Sequence, residues 1–355
     1  MLSKLQLVRN YTISAIDKPG KLSTLIIKVH AGSRYSPKDG VSHLLSRFNF
    51  QNTNAKSSLR LVRESELLGG QVESKVCREY ITLKANFLKE QLPYFVETLG
   101  NVLYKTSFRP HELIESVIPA AKHDLHEANK DPIWKANNLL YQVTYRNDGL
   151  GKPVFYDGVE NVTLEDIKDF ANKVYTRENI EIHGVGINAN DLNRFVTDSL
   201  INSLPVGKSL KSSVEPKCFI GETRLRSAGE SVAAISVPLN KANIATYQVL
   251  STYLNSSLFP HIVKAEFATF DNNTYGLFKL FVKNEDPDVV TKEIKEVVST
   301  LKKGLDISGA VTLTKSQFPT ESLAKDLEKV KLFKLGDFSF VALGNVSKLP
   351  FKDDL

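Results

Sequence analysis

The sequence predicts an α+β fold of two structurally related domains, each a mostly antiparallel sheet with helices packed on it. Strands of alternating hydrophobicity are interleaved with long amphipathic helices, as in layered α+β proteins. The same order of elements occurs twice, and at 355 residues two domains are the natural expectation. A stretch rich in proline and serine separates the halves. We therefore predict an N-terminal domain over 17–202, a linker over 203–217 and a C-terminal domain over 218–355.

Apolar periodicity places the elements of the first half. Alternation predicts strands over 24–30, 80–87 and 180–185. Apolar residues at helical spacing predict helices over 41–48, 59–67, 92–103, 110–121, 134–143, 167–174 and 192–196. Pro119 falls inside the fourth of these helices, where it removes a backbone hydrogen bond and should bend the helix. Thr163 and Asp166 have the spacing of a capping box at the start of the sixth.

The second half repeats this order in a shorter form. Strands are expected over 232–237, 276–282 and 338–342, and helices over 244–254 and 290–301. The last strand ends in Gly344-Asn345-Val346, which echoes the residues from His183 to Gly186 at the end of the first half. This internal similarity favours a duplicated domain. Each half is expected to carry its helices on one side of its sheet.

Composition excludes several classes of protein. No run approaches the roughly 18 uninterrupted apolar residues that a membrane-spanning helix needs. The formal charge is +6 and the pI about 9.0, but no helix-turn-helix, zinc-finger or aromatic RNA-binding pattern accompanies them. Nucleic-acid binding is therefore not favoured. Cys77 and Cys218 are far apart and lack a C-x-x-C partner, so no disulfide scaffold is expected.

The first sixteen residues are basic and apolar. They contain Lys4 and Arg9 and no acidic residue, since the first acid is Asp17. A short, basic, acid-free start is typical of a mitochondrial transit peptide, which we predict over residues 1–16. The alternative is an unstructured start that lacks acids by chance.

The stretch from Gly32 to Phe50 carries the nearest approach to a catalytic motif. Its helical half places His43 and Arg47 one turn apart, with Ser46 beside them. A zinc peptidase helix would read H-x-x-E-H, with two imidazoles on the metal and a carboxylate to activate water. Here it reads H-x-x-S-R, and neither a guanidinium nor a hydroxyl can take those roles. His43 is either a former ligand position or a polar residue satisfied by a neighbour.

Several short motifs carry a family resemblance. They are A-G-S-R-Y at 31–35, G-V-S-H-L-L at 40–45, L-L-G-G at 67–70, R-E-Y at 78–80, V-Y-T-R-E-N at 174–179 and T-Y-G-L-F at 274–278. In this order, over nearly the whole chain, they resemble the mitochondrial processing peptidase family of inverted-motif zinc peptidases. The resemblance implies two related α+β domains with largely antiparallel sheets.

The resemblance also implies where a third zinc ligand would lie. In the family it is a glutamate on a downstream helix, which corresponds to residues 120–124 here. Ala120, Ala121 and Lys122 cannot bind zinc, and His123 or Asp124 beside His43 would make a poor site. We therefore predict no catalytic residue, no cofactor and no metal, with His43, Ser46 and Arg47 as degenerate zinc-motif positions.

Family members that lost the zinc motif include structural core subunits of the mitochondrial cytochrome bc1 complex. The resemblance thus implies a non-catalytic subunit of ubiquinol–cytochrome c reductase (respiratory complex III), peripheral on the matrix side of the inner membrane. Its partners in that dimeric, multisubunit complex would be a companion core protein, cytochrome b, cytochrome c1 and the Rieske protein.

Two alternatives remain open at this point. One is the non-zinc subunit of a presequence-processing metallopeptidase heterodimer. The substrate-binding subunit of the processing peptidase carries a long glycine-rich loop, which the second half of this chain lacks. The other, weaker alternative is a basic nucleic-acid-binding module.

Overall fold

The computed structural model describes residues 11–211, 216–257, 259–261, 263–271, 273–317 and 332–355. The chain divides into two compact units, each formed from two segments of the chain. Unit 1 consists of Met1–His126 and Lys152–Lys211, and unit 2 of Glu127–Gly151 and Ser212–Leu355. The predicted α+β class is confirmed. The linear division predicted from the sequence differs at residues 127–151, which lie within the first half but belong to unit 2.

Unit 1 is built on a five-stranded sheet of order β1-β5-β2-β4-β3, in which only the β1–β5 pair is parallel. Its strands are β1 (Thr12–Ile16), β2 (Leu22–Val29), β3 (Gln71–Val76), β4 (Ile81–Leu88) and β5 (Ile180–Val185). The helices of the first half are α1 (Val41–Phe48), α2 (Ser58–Leu67), α3 (Leu92–Lys105), α4 (Pro110–Glu112), α5 (Ile118–Ala128), α6 (Pro132–Tyr145), α7 (Leu164–Val174) and α8 (Ala189–Asp198), of which α6 belongs to unit 2.

Unit 2 has its own five-stranded sheet, of order β6-β12-β7-β9-β8. Its strands are β6 (Glu222–Arg226), β7 (Ser231–Asn240), β8 (Lys264–Phe270), β9 (Tyr275–Asn284) and β12 (Ser339–Gly344), with a small separate pair, β10 (Leu305–Asp306) and β11 (Leu332–Phe333). Its further helices are α9 (Ile244–Leu254), α10 (Pro287–Lys303) and α11 (Val311–Gln317). Among the described residues no helix is long and apolar enough to cross a membrane.

The two sheets have the same topology, as the duplication predicted. In each, the first strand pairs in parallel with the last, and the remaining pairs are antiparallel. The similarity extends to a glycine at the end of the last strand. Gly186 and Gly344 have φ values of +73° and +104°. A Cβ on Gly186 would lie 2.7 Å from the Leu22 carbonyl oxygen, and one on Gly344 would lie 2.7 Å from Cα of Ser231. Only glycine combines this conformation with this close approach.

Helix α6 covers one face of the unit 2 sheet. Ala136 and Leu140 pack in a buried cluster with Val232, Phe281 and Val341. Alternate residues of the same strands face α9 and α10 on the other side. The sheet of unit 2 therefore has helices on both faces, which differs from the expected one-sided packing. It also explains why β7 and β9 are nearly continuously apolar rather than alternating.

Two local predictions in the first half, the capping box of α7 and the helix over 59–67, are confirmed. Thr163 and Asp166 form the predicted capping box of α7. Pro119 is the second residue of α5, which follows a π-helical turn over Leu113–Val117, so the helix is irregular just before the proline. Helix α2 forms, but the apolar residues that predicted it are exposed. It instead buries Leu61 and Ser65, one turn apart.

The N-terminal segment gives a correction. Residues 1–10 of the predicted transit peptide lie outside the described residues. Residues Thr12–Ile16 form strand β1, paired in register with Glu181–Val185 of β5. The predicted segment 1–16 therefore overlaps the sheet. Acid-free composition does not distinguish a transit peptide from an edge strand. The segment Thr12–Ile16 is a strand, and a transit peptide stays a prediction for the residues before it.

Candidate functional site on helix α1

The loop before helix α1 is held against the segment that follows β3. Gly32 N donates to the Glu79 carbonyl (3.0 Å), and Arg34 N donates to the Arg78 carbonyl (2.9 Å). A Cβ on Gly32 would lie 2.4 Å from the carbonyl carbon of Arg78, so glycine is required for this approach. The A-G-S-R and R-E-Y motifs are thus two halves of one backbone contact that fixes where α1 begins.

A third motif joins the same contact. Asn179, the last residue of V-Y-T-R-E-N, donates from its side-chain amide to the carbonyls of His30 (3.0 Å) and Val174 (2.9 Å). Its own carbonyl accepts from His30 N (3.1 Å). Asn179 is fully buried, so these bonds satisfy polar groups that burial would otherwise penalise. These contacts therefore position the backbone before α1.

Helix α1 is buried on nearly all sides. Val41, Leu44, Leu45 and Phe48 are fully buried, as their spacing predicted. The helix begins after Gly40, whose φ of +86° favours glycine. Two side chains of the degenerate zinc motif, His43 and Arg47, lie on the part of the helix surface that faces α5.

His43 and Asp124 form the centre of the site. His43 Nε2 donates to Asp124 Oδ2 at 2.8 Å, and the His43 side chain is only 1% exposed. Because a carboxylate only accepts, the proton of neutral His43 is assigned to Nε2. Nδ1 is buried and has no hydrogen-bond partner among the described residues. The ring packs on Phe155, with centroids 4.5 Å apart.

Arg47 completes the cluster by a two-pronged contact with the same carboxylate. Its Nε donates to Asp124 Oδ2 at 2.6 Å, and an η nitrogen donates to Asp124 Oδ1. The fork geometry of guanidinium matches a carboxylate in this way. Asp124 is 14% exposed and Arg47 40%, so the pair is partly shielded from water. The guanidinium therefore supplies a fixed positive charge beside His43 and Asp124.

The surroundings of Asp124 favour its charged form. Burial by itself raises the pKa of Asp124, but the hydrogen bonds from His43 and Arg47 outweigh it and hold the pKa below its ordinary value. The carboxylate is thus ionised at neutral pH and satisfied by two donors.

Ser46 has no catalytic geometry. Its Oγ donates to the backbone carbonyl of His43 at 2.8 Å, and the residue is 3% exposed. A hydroxyl used in a local helix bond neither ligates a metal nor takes a proton from water. The position that would hold the general base of a zinc peptidase therefore carries a structural serine.

A zinc ion of the kind that the resemblance implies does not fit these residues. Two possible metal ligands remain, His43 Nε2 and the Asp124 carboxylate. His43 is hydrogen-bonded to Asp124, and Asp124 also accepts from Arg47. A catalytic zinc site normally has three protein ligands, and a guanidinium has no lone pair to offer. No catalytic step through zinc follows from this geometry.

The structure thus brings together the three predicted positions and adds one that the sequence reasoning set aside. Asp124 faces His43 and Arg47 directly, whereas His123 is exposed on α5. Pro119 does not end the helix that carries Asp124, because α5 runs from Ile118 to Ala128. The sequence did contain a signal for Asp124. His43 and Arg47 lie one helical turn apart, and both need a hydrogen-bond acceptor, which predicts a nearby carboxylate.

Comparison with protein families supports the resemblance. A sequence profile of the family described as "Insulinase (Peptidase family M16)" matches residues 11–158. Among solved structures, a peptidase M16 inactive domain from Pseudomonas fluorescens is similar in fold, with a TM-score of 0.76 and 12% identity. The similarity covers 95% of this chain and 96% of that one. At this identity, the match concerns the fold alone.

Curated relatives match over nearly the whole chain. The protein named cytochrome b-c1 complex subunit 2, mitochondrial, from Saccharomyces cerevisiae is 54% identical, over 98% of this chain and 96% of the relative. The protein of the same name from Debaryomyces hansenii is 40% identical, over 97% and 95%.

Proposed function

The chain belongs to the family of mitochondrial cytochrome b-c1 complex subunit 2 proteins, within the M16 peptidase-like fold, and we propose that it is the corresponding structural subunit, core protein 2. In this role it supports assembly and stability of ubiquinol–cytochrome c reductase, which passes electrons from ubiquinol to cytochrome c. It binds no haem, quinone or catalytic metal itself.

One observation carries the non-catalytic part of the proposal. Arg47 occupies the place of a metal ligand, and its guanidinium forks onto Asp124, the carboxylate that faces His43. The positive charge that zinc would bring is supplied by a side chain, so the three residues form a satisfied ion-pair cluster. Such a cluster stabilises the packing of α1 on α5 without activating water.

The proposed partners are core protein 1, cytochrome b, cytochrome c1 and the Rieske protein, with the chain peripheral on the matrix side of the inner membrane. Exposed apolar side chains in unit 1 support a role in assembly. Leu22 and Leu88 are paired in register on β2 and β4 and are 74% and 41% exposed, and Leu67 is 85% exposed. An exposed pair of apolar side chains such as Leu22 and Leu88 is a feature of protein interaction surfaces.

Affinity purification of the tagged full chain from mitochondria tests the proposal. We expect haem b and haem c absorbance to co-purify with the chain in stoichiometric amount. Co-purification with a zinc-containing peptidase subunit, and presequence cleavage without haem, would instead identify the non-zinc subunit of a processing peptidase. Association with nucleic acid alone would overturn both assignments.

A restored motif tests the reading of the α1 site. The sequence alone gives the double variant Ser46→Glu/Arg47→His only two imidazoles, whereas the structure adds Asp124 as a third donor. We therefore expect this variant to bind one more zinc per chain than wild type, with Ser46→Glu alone as the control that gains none.

We expect no presequence cleavage by that variant. An outer-shell partner normally orients each ligating imidazole, and its loss typically costs about 10–100-fold. His43 Nδ1 has no such partner among the described residues. Zinc-dependent cleavage, abolished by a chelator, would contradict this expectation. It would show that restoring the zinc ligands is enough for catalysis without outer-shell partners.

A further inference from the structure

Unit 2 carries a cluster of metal-ligating side chains that the proposed function does not use. His261 lies in the loop between α9 and β8, and Glu293 and Glu296 lie one turn apart on α10. We propose that these three residues form a binding site for a divalent transition metal ion of the zinc class. This differs from the expectation of no metal, which rested on the residues of the degenerate motif.

Helix α10 and the loop hold the three side chains in place. The opposite face of α10 is anchored by Val290, Ile294 and Val297, which are fully buried, so both glutamates are turned outward on one face. At the base of the loop, Asn255 and Ala265 exchange two hydrogen bonds, of 2.6 and 2.9 Å. This pairing fixes the ends of the loop that carries His261.

The His261 ring is further oriented by its neighbours. It packs on Phe259, which is 6% exposed, with centroids 5.1 Å apart. Its Nδ1 lies 2.8 Å from Glu293 Oε2 and 3.8 Å from Glu296 Oε2. The His261 side chain is only 17% exposed, so its orientation comes from packing as well as from the hydrogen bond.

The donor atoms have the separations that a small cation needs. All three lie within 4.8 Å of one another. Tetrahedral zinc with bonds of about 2.0–2.2 Å places its donor atoms roughly 3.3–3.5 Å apart. The 2.8 and 3.8 Å separations bracket that value, so small side-chain rotations let the three atoms converge on one ion.

Charge balance also favours a cation. Among the described residues, the only basic group within 4.0 Å of either carboxylate is His261 itself. Lys292 and Lys295 are on the same helix, but neither forms an ion pair with these glutamates there. Two carboxylates that share one imidazole leave negative charge, which a divalent ion would neutralise.

The ligand types select the class of ion. One imidazole nitrogen and two carboxylate oxygens suit zinc and its neighbours in the Irving–Williams order, whereas calcium and magnesium prefer oxygen ligands alone. The glutamate side chains are 27% and 47% exposed, so water reaches the remaining coordination positions. The bound ion would tie the loop to α10.

The test uses the full chain, freed of metal with a chelator, and titrates zinc by calorimetry. Cobalt absorption reports the coordination. We expect one zinc per chain at this site, a tetrahedral or five-coordinate cobalt spectrum, and a rise in the unfolding temperature with zinc. His261→Asn, and separately Glu293→Gln, should weaken zinc binding by about tenfold or more, since even an outer-shell partner is commonly worth that much.

Two exposed residues outside the cluster, a glutamate and a histidine, provide matched controls. Glu285 precedes α10 and His111 lies in unit 1, and both are exposed. Glu285→Gln and His111→Asn should leave zinc affinity unchanged. If wild type takes up no zinc at micromolar concentration, or if His261→Asn and His111→Asn behave alike, the proposal is overturned and the cluster is a hydrogen-bonded contact between loop and helix. Melting curves without metal show whether each variant folds.

Discussion

Replacing Asp124 with asparagine is the sharpest test of the α1 site. The substitution keeps the shape of the side chain and removes the negative charge that His43 and Arg47 share. The new amide nitrogen is itself a hydrogen-bond donor. Either His43 or Arg47 therefore loses the carboxylate oxygen that accepted its hydrogen bond. His43 is 1% exposed and cannot turn to water, whereas Arg47 is 40% exposed and can do so in part.

The expected loss follows from these exposures. Breaking a buried ion pair by removing one partner costs about 3–5 kcal/mol, and a hydrogen bond to a charged group contributes about 1.5–3 kcal/mol. Because Arg47 regains part of its hydration, we place the loss in the free energy of unfolding of Asp124→Asn at roughly 2–3 kcal/mol. At about 2–4 °C per kcal/mol for a unit of this size, the unfolding temperature falls by roughly 4–12 °C.

The pH dependence gives an independent check. The folded pKa of Asp124 lies below its ordinary value, so its contribution to stability is complete above the unfolded pKa of about 4 and is lost as pH falls through the folded pKa. The stability difference between wild type and Asp124→Asn should therefore be constant near neutral pH and shrink at acid pH.

Denaturant and thermal unfolding, followed by circular dichroism, measure this difference. Asp169→Asn is the matched control, because Asp169 is exposed on α7 of the same unit. We expect that control within about 0.5 kcal/mol of wild type, as for surface substitutions generally. If Asp124→Asn is as stable as Asp169→Asn at neutral pH, the ion-pair reading of the site is refuted.

Three further predictions follow from other contacts. Arg224→Lys should speed proteolysis of the C-terminal segment relative to wild type, because the Arg224 guanidinium donates to three carbonyls there and a single ammonium cannot. Gly70→Ala should cost about 1–3 kcal/mol in chemical unfolding, since its Cβ would lie 2.1 Å from Phe95 Cζ, whereas Gly336→Ala meets nothing within 4 Å and should be neutral. N-terminal sequencing of mitochondrial material should find the chain beginning after residue 9 and before Thr12, because β1 starts there; an intact Met1 would contradict a transit peptide.

The inner strands and the long helices could be predicted from the sequence alone. Strands β2, β4 and β5 alternate cleanly because one face of each is fully buried and the other is not. Helix α10 buries one regular stripe, so its 3.6-residue period is visible. The duplication was visible for the same reason, since both halves repeat these central elements.

The edge strands could not be predicted in this way. The strands missed in the two large sheets are β1, β3, β6 and β8, and these are the four edges. An edge strand has a partner on one side only and is partly exposed on both faces, so its hydrophobic alternation is weak. Its place is set by the neighbour that it pairs with, which is a tertiary fact.

The same distinction, between what residue types show and what tertiary packing shows, applies to the candidate site. That Arg47 and Ser46 cannot replace a ligand and a base is a matter of residue chemistry, so the amino-acid types alone were enough to predict it. That Asp124 accepts from both His43 and Arg47 depends on how α5 runs past α1, many residues away along the chain. The placement of α6 on the sheet of unit 2 likewise needed the folded chain. Local periodicity shows that a helix has an apolar face, but only tertiary packing decides which sheet covers it.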